Sequence, residues 1–101
     1  MEFKKMYPQC MALGRIYKIV SLRVHVTGAT AAELQFAEQH PYLANTQMLL
    51  FARKLGRMTT DIDDIVADLL LVVDPGDWRE LQGQPLPLPL QQAWYQGYVA
   101  A

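Results

Sequence analysis

The stretch LGRIYKIVSLRVHV, residues 13–26, decides the fold class, because its pattern suits both a helix and a strand. A helix would gather five apolar side chains on one face: Leu13, Ile16, Tyr17, Val20 and Val24. A strand would alternate four apolar side chains with polar ones towards the end of the stretch: Val20, Leu22, Val24 and Val26. Periodicity alone therefore does not choose between the two.

The choice depends on whether a strand here would have a neighbour. The only rival strand in the chain is LLLVV at 69–73, and a strand without a partner would have to pair with another chain. A helix forms its backbone hydrogen bonds internally and needs no such neighbour. We therefore predict a helix and a mainly α fold, and we keep an α+β fold with a strand at 16–26 as the alternative.

The helix that follows is predicted from local signals at both of its ends. Thr30 followed by Glu33 matches the capping box, in which the hydroxyl and the carboxylate each accept a hydrogen bond from a backbone amide. This helix should end near His40, because Pro41 disfavours the helical conformation in the residue before it.

Two further helices are predicted from similar signals. The first should cover about 42–56, because a proline precedes it and Gly56 suits its end. Thr60 followed by Asp63 fits the capping pattern again, so the second should begin there. It should run to the sequence DPGD at 74–77, where the proline breaks a helix and the Pro–Gly pair favours a turn.

The two ends of the chain are less regular. Residues 1–10 show no clear period, and we expect a flexible lead-in there. Near the other end, QPLPLPL predicts an extended strap over 84–90, because its three prolines lack the amide donor that a helix needs. The spacing of Leu90, Trp94 and Tyr98 then predicts a last short helix. The whole 101-residue chain is expected to be a single small domain of about four helices.

Composition predicts that the chain associates with another protein molecule. Apolar residues make up 51% of the chain and charged residues only 19%, whereas a typical soluble domain has about 25% charged residues. A domain of this size also buries a smaller share of its surface than a larger one does. We expect the excess apolar surface to be covered by a second copy in a homo-oligomer, most simply a dimer, or by a different protein.

Charge and hydropathy argue against two kinds of partner. The net charge is −1 and no strongly basic patch is evident, so we predict no nucleic-acid partner. The longest strictly apolar run, LLLVV, is far shorter than the ~20 residues of a membrane span, so we predict no membrane partner. A single cysteine and the absence of a signal-peptide core indicate a soluble, cytoplasmic protein without disulfides.

Several aspartates crowd the helix predicted to begin at Thr60. Asp61, Asp64 and Asp68 lie three and four residues apart, so they share one helix face and could hold Mg²⁺ or Ca²⁺. Negative charge near a helix N-terminus is also favoured by the helix dipole, by about 0.3–1 kcal/mol. Because the other side of this helix is apolar, we interpret the aspartates as its solvated face, and we keep a small divalent-metal-dependent enzyme as an alternative.

Other chemically reactive residues lack the neighbours that catalysis or ligand binding requires. His25 and His40 have no metal-ligating residue at helical spacing, and Ser21 lacks the glycines of a nucleophile elbow. Cys10 has no basic neighbour closer than Arg15 to lower the pKa of its thiol. We therefore predict no catalytic residues, no metal site and no cofactor.

The helix predicted over 42–56 is apolar on two sides, which is typical of a central helix or of one shared with another molecule. One side, which we assign to the core, consists of Met48, Phe51, Ala52 and Leu55. The opposite side, which we assign to a partner, consists of Leu43, Gln47, Leu50, Lys54 and Arg57. Trp94 and Tyr98 are added to the predicted partner-binding residues, because Trp and Tyr are enriched in protein interfaces.

These features favour a non-enzymatic protein-binding module. The expected role is that of a small regulator that occludes an interface of a larger partner, such as a transcription factor. One alternative is the metal-dependent enzyme, and another is a phage-type assembly or DNA-contact module. The latter rests on three consecutive helices that invite comparison with a helix-turn-helix, although the third has an acidic polar face that would repel phosphate.

Overall fold

The computed structural model describes residues 3–81 and 83–101, and within these ranges the chain forms six α-helices and no β-strand. The helices are α1 (Phe3–Val24), α2 (Ala31–Gln39), α3 (Pro41–Lys54), α4 (Thr60–Leu70), α5 (Pro75–Glu80) and α6 (Leu88–Ala100). The predicted mainly α fold is confirmed, with six helices in place of about four. The alternative strand at 16–26 is wrong, because residues up to Val24 continue α1.

Helix α1 begins much earlier in the chain than the sequence pattern suggested. Six apolar side chains along it, at helical spacing, are buried: Met6, Cys10, Leu13, Ile16, Tyr17 and Val20. The apolar stripe therefore extends back to Met6, and the predicted flexible lead-in over 1–10 is wrong for residues 3–10. Residues 1 and 2 of that lead-in lie outside the described part of the chain.

Helices α1 and α6 cross with their backbones in direct contact at two glycines. A Cβ added to Gly14 would overlap the carbonyl oxygen of Trp94 and lie 2.8 Å from the backbone nitrogen of Tyr98. A Cβ added to Gly97 would overlap the carbonyl oxygen of Met11. Real Cβ atoms essentially never make contacts this short, so glycine at both positions is what allows the close approach.

The local signals at α2 and α3 are confirmed. The Thr30 hydroxyl accepts a hydrogen bond from the Glu33 amide at 3.2 Å, and the Glu33 carboxylate accepts one from the Thr30 amide at 2.9 Å. These two bonds complete the predicted capping box. Pro41 occupies the first position of α3. Gly56 follows the end of α3 with a φ of +68°, in the left-handed region that glycine adopts without strain.

Helix α4 differs from the prediction at both ends. The cap residue of α4 is Thr59, and no side-chain hydrogen bond caps the helix. The predicted capping box, with Thr60 as the cap residue and Asp63 three residues later, is therefore wrong. The helix also ends at Leu70 and does not reach the expected stop. Residues 71 and 72 form a turn after the helix. Asp74 then caps the next helix, because its carboxylate accepts a hydrogen bond of 2.9 Å from the backbone amide of Gly76 in α5.

The predicted extended strap over 84–90 is wrong in its last part. Residues 84–87 lie outside any helix, and Pro87 has extended backbone angles (φ −58°, ψ 149°). The amide of Leu86 donates a hydrogen bond of 3.0 Å to the carbonyl oxygen of Gln39 at the end of α2. The rest of the strap is helical, because α6 begins directly afterwards. Pro89 is tolerated there, since the first turn of a helix needs no amide donor.

Side chains from all six helices meet in one buried core. Its largest completely enclosed members are Trp94, Met6, Leu13, Ile16 and Leu90. The accessible surface of the chain is 6146 Å², close to the ~5,800 Å² expected for a compact monomer of this mass. Exposed apolar side chains therefore do not result from an open or loosely packed fold.

A buried polar network joins α1 to α5. The side-chain amide of Gln9 donates to Oδ2 of Asp77 at 2.8 Å. Its Oε1 accepts from Nε1 of Trp78 at 2.8 Å and from the backbone nitrogen of Asp74 at 2.9 Å. Lys5 adds an ion pair of 2.7 Å to Oδ1 of Asp77. Because Gln9, Asp77 and Trp78 are buried, these bonds satisfy polar groups that would be costly to leave without partners.

The ion pair predicts a loss of stability in acid. The hydrogen bonds from Lys5 and, to a smaller extent, from Gln9 hold the pKa of the Asp77 carboxyl below its ordinary value. A carboxyl with a lowered folded-state pKa adds stability above the unfolded pKa of about 3.9, and that stability is lost as the pH falls through the folded-state pKa. We expect Lys5→Met to weaken this dependence, because the Asp77 pKa then moves back towards its ordinary value.

Urea unfolding of the wild type and of Lys5→Met, between about pH 5 and about pH 2, measures the effect. Lys4→Met is the matched control, since Lys4 is exposed and forms no ion pair within the described residues. Equal changes in pH dependence for the two variants would contradict the role assigned to Lys5.

Candidate protein-binding surface

The outward side of α3 carries a row of side chains at alternating spacings of four and three residues. The row consists of Leu43, Gln47, Leu50 and Lys54, and all four are exposed. At 3.6 residues per turn, these positions lie within roughly 60° of one another around the helix. Leu43 is 50% exposed and Leu50 is 61% exposed, so both leucines of the row face solvent. We call these four residues the α3 face.

The opposite side of α3 packs against α1. Its buried residues beyond Pro41 are Ala44, Asn45, Met48, Leu49 and Ala52. The side-chain amide of Asn45 donates a hydrogen bond of 3.2 Å to the carbonyl oxygen of Leu13, and Ala52 is completely buried. These contacts set the rotation of α3 about its axis and thereby turn Leu43 and Leu50 outward.

The predicted core side of α3 is only partly correct. Met48 and Ala52 are buried as expected, but Phe51 is 45% exposed and Leu55 is 46% exposed, so their assignment to the core is wrong. Phe51 lies ~100° around the helix from Ala52, at the edge of the buried side, and Leu55 follows the last helical residue. Phe51 therefore adds to the exposed apolar surface beside the α3 face, and Leu55 leaves an exposed apolar side chain at the end of the helix.

A groove between α2 and α3 borders the α3 face. Its volume is about 620 Å³, and the side chains that line it include Phe36, Gln47, Met48 and Phe51. Phe36 is 40% exposed, so an aromatic ring of α2 adds to the apolar surface of α3. Because Gln47 belongs to both, the groove and the α3 face form one continuous surface.

Three titratable residues line the same groove: Tyr17, His25 and Glu33. Nε2 of His25 lies 3.7 Å from Oε2 of Glu33. Hydrogen bonding to Thr30 holds the pKa of the Glu33 carboxyl below its ordinary value. Burial, together with the nearby charge of Glu33, raises the pKa of Tyr17 to about 12. At neutral pH Glu33 is therefore ionised and engaged in capping α2, while Tyr17 is an uncharged phenol.

The two predicted interface residues of α6 pack against α1 and are not part of the α3 face. Trp94 is completely buried, so it belongs to the core of this fold and presents no surface to a partner. Tyr98 is half-buried and stacks on Trp94, with ring centroids 5.3 Å apart. Nζ of Lys18 lies 4.5 Å from the centroid of the Tyr98 ring. The predicted surface therefore divides into the α3 residues and a separate aromatic pair.

Basic side chains lie at the C-terminal end of the α3 face and just beyond it. Lys54 is the last helical residue, and Arg57 lies after the turn at Gly56 with its side chain exposed. Nη2 of Arg53 lies 3.7 Å from Oδ1 of Asp63, which links the end of α3 to α4. The predicted partner residue Arg57 is therefore next to the α3 face, although it is not on the helix itself.

The aspartates of α4 lie on its exposed side, as the solvated-face interpretation predicts. Asp61, Asp64 and Asp68 are exposed, whereas Ile62 and Val66 on the other side of the helix are buried. In the part of the chain that the structure describes, no three His, Cys, Asp or Glu side chains come close enough to hold a metal ion. Those residues thus offer no observation in favour of the metal-dependent alternative.

Sequence reasoning missed a second concave surface, which lies beside α5. This cleft has a volume of about 420 Å³, and its lining includes His40, Tyr42, Trp78 and Arg79. The rings of Tyr42 and Trp78 stack with their centroids 6.0 Å apart. Leu43 also lines the cleft, which therefore adjoins the α3 face. No local signal identifies it, because its walls come from helices that are distant in sequence.

The two candidate nucleophiles are buried in α1. Cys10 is completely buried, and burial raises the pKa of its thiol to about 12, so the reactive thiolate is scarcely populated at neutral pH. Ser21 is also buried, and its hydroxyl donates a hydrogen bond of 3.1 Å to the carbonyl oxygen of Lys18. Neither side chain lines the groove or the cleft.

Of the helices within residues 3–81 and 83–101, none is both long enough and apolar enough to cross a membrane. Comparison with models of known protein families, with curated proteins and with solved structures found no match.

Proposed function

We propose that this protein is a non-enzymatic protein-binding module that contacts its partner through the α3 face. The observation that carries the proposal is the exposure of Leu43 and Leu50 on a helix whose other side is well packed. Full burial of a leucine side chain is worth about 1.5–3 kcal/mol relative to leaving it in water. A partner that covers both leucines gains part of that free energy.

The apolar surface around the α3 face supports this reading because its members adjoin one another. Phe36 and Phe51, which are 40% and 45% exposed, both line the groove that adjoins the α3 face at Gln47. Single exposed apolar residues are ordinary in soluble proteins, whereas contiguous patches rimmed by polar residues mark interaction sites. Here polar residues of the rim include Gln47 on α3 and the basic residues Lys54 and Arg57 at its end.

The role we propose is that of a small cytoplasmic regulator that also pairs with itself. It covers an apolar patch on a larger partner, such as a transcription factor, and so prevents the protein that normally binds this patch from reaching it. A stable interface of standard size covers about 800 Å² on each side. That is about an eighth of the 6146 Å² surface of this chain, so the proposed interface is feasible for a domain of this size.

Leu50→Asp tests the proposal. The variant should lose capture of partners from a native lysate, because a charge buried at the centre of an apolar interface is costly. Its helical content by circular dichroism should stay close to that of the wild type. Leu50 is 61% exposed, so the substitution opens no cavity in the core.

The matched control is Leu88→Asp, the same substitution at a leucine of α6 that is 70% exposed. Capture that survives in Leu88→Asp and disappears in Leu50→Asp supports the α3 face as the binding surface. Capture that survives in both variants rules this surface out, and unfolding of Leu50→Asp shows that Leu50 is a core residue.

A further inference from the structure

Helix α4 presents a second exposed row that combines apolar and acidic side chains. The row consists of Asp61, Asp64, Ile65 and Asp68, and we call it the α4 face. Ile65 is 45% exposed, and Leu71 and Val72, just after the helix, are 82% and 52% exposed. The α4 face is therefore apolar and acidic, whereas the α3 face is apolar and ends in basic residues.

The charged side chains of the two faces form no ion pair with one another or with other residues in the described part of the chain. Within the described residues, the ion pairs shorter than 4.0 Å have Lys5, His25 and Arg53 as their basic members. Lys54 and Arg57 take part in none of them, and neither do the three carboxylates of the α4 face. These charges are therefore free to pair with another molecule at little cost to the fold.

We propose that the α3 face is covered by the α4 face of a second copy of this chain. This inference rests on the proposed function and deepens it, because it names one partner of the same surface. The leucines of the α3 face pack against Ile65 and Leu71 of the second copy, while Lys54 and Arg57 pair with its aspartates. Opposite charges fix the register of the two helices and speed their encounter.

A two-fold axis makes the contact reciprocal, so that α3 of each copy meets α4 of the other and both contacts form together. On each copy Nη2 of Arg53 lies 3.7 Å from Oδ1 of Asp63, so the C-terminal end of α3 lies beside the start of α4. The α3 face, from Leu43 to Lys54, is about 17 Å long. Two such contacts together bring the buried area closer to the ~800 Å² that a standard-size protein interface buries on each copy.

Pairing two α3 faces with each other fits the charges less well. Helix α3 contains no acidic residue, so its cations would find no carboxylate on the α3 of a second copy. The α4 face supplies three carboxylates beside exposed apolar side chains. Charge complementarity therefore favours α3 against α4 over α3 against α3.

A pair of charge-reversed variants tests the arrangement. The first is Lys54→Glu/Arg57→Glu, which makes both faces acidic. The second is Asp64→Lys/Asp68→Lys, which makes both faces basic. It leaves the aspartates in the first turn of α4 unchanged, since lysine there would oppose the helix dipole. Circular dichroism of each variant verifies that it is folded.

Sedimentation velocity across a concentration series gives the dissociation constant of the dimer for each sample. The wild type should dimerise, and added salt should weaken the dimer. Each variant alone should dimerise at least about tenfold more weakly, because both of its contacts then bring like charges together. An equimolar mixture of the two variants should recover the dimer, because both contacts in the mixed pair are again between opposite charges.

Three outcomes would overturn this inference: a monomeric wild type at every concentration, variants that dimerise like the wild type, and a mixture that stays monomeric. None of them decides the proposed function, which is judged by the capture experiment on Leu50→Asp. A monomeric wild type that still captures a partner through Leu50 would mean that a different protein occupies the α3 face.

Discussion

Gly97→Ala should destabilise the protein by about 3 kcal/mol or more, which makes it one of the most damaging single substitutions in the chain. A Cβ at this position would overlap the carbonyl oxygen of Met11 and lie 2.7 Å from its carbonyl carbon. The obstructing atoms belong to the backbone of α1, so no side-chain rotation relieves the overlap. The two helices would have to move apart, and the core side chains between them would lose contact.

Helix propensity works against this effect and is too small to cancel it. Alanine is favoured over glycine inside a helix by about 1 kcal/mol, so an unobstructed Gly→Ala change in α6 would be stabilising. Gln96→Ala is the matched control, because Gln96 is the exposed neighbour of Gly97. Urea unfolding measures both variants, and a Gly97→Ala protein as stable as Gln96→Ala would contradict the close crossing of α1 and α6.

The same crossing predicts non-additive behaviour for the two glycines. Gly14→Ala should also be strongly destabilising, because its Cβ would overlap the carbonyl oxygen of Trp94. Once the helices have separated to admit one methyl group, the second requires less additional movement. Gly14→Ala/Gly97→Ala should therefore cost less than the sum of the two single changes.

The features predicted correctly from the sequence are those encoded within a few residues. The Thr30 and Glu33 capping box, the proline at the start of α3 and the glycine after it all act locally. The helix predicted over 13–26 is an exception, because that prediction depends on the lack of a partner strand elsewhere in the chain. Local signals mark helices well, but they do not say how the helices meet.

The features that were missed depend on residues far apart in the chain. Nothing in the local sequence around Gly14 or Gly97 marks either glycine as important, because their role depends on the crossing of α1 and α6. Gln9 lies in a segment with no clear period, and its bond to Asp77 spans 68 positions. The apolar stripe places Gln9 on the buried side only when α1 is extended back to Met6, and the helix predicted from the sequence does not extend that far.

The candidate surface was predicted in part, for a related reason. The spacing of Leu43 and Leu50 places them together on one side of α3, and this follows from helix geometry alone. Which side faces the core depends on contacts with α1, where Asn45 and Ala52 lie at the buried centre. The spacing groups Phe51 with Ala52 and the rest of the predicted core side, but its position on the helix places it at the edge of the buried side, where it is 45% exposed.

Gln9→Leu is expected to be the second most damaging change, with a loss of about 3 kcal/mol of stability. Leucine has a similar volume, so the substitution tests hydrogen bonding more than packing. It removes the acceptor for Nε1 of Trp78 and for the backbone amide of Asp74. It also removes a donor from the buried carboxylate of Asp77, so three polar groups lose a partner at once.

A graded series separates the parts of this network. Trp78→Phe removes the indole donor together with part of a buried ring, while Gln9 keeps its bonds to Asp74 and Asp77, so it should cost at least about 1 kcal/mol. Gln92→Leu is the control for replacing a glutamine by leucine, since Gln92 is exposed on α6. Its stability should stay within about 0.5 kcal/mol of the wild type.

The double variant Gln9→Leu/Trp78→Phe then shows whether the two side chains act together. In the presence of leucine at position 9 the indole donor already lacks its partner, so removing it should cost little or even restore some stability. A coupling free energy of about 1 kcal/mol between the two changes is expected from urea unfolding. Strictly additive costs would mean that the 2.8 Å bond between Gln9 and Trp78 contributes nothing to joining α1 and α5.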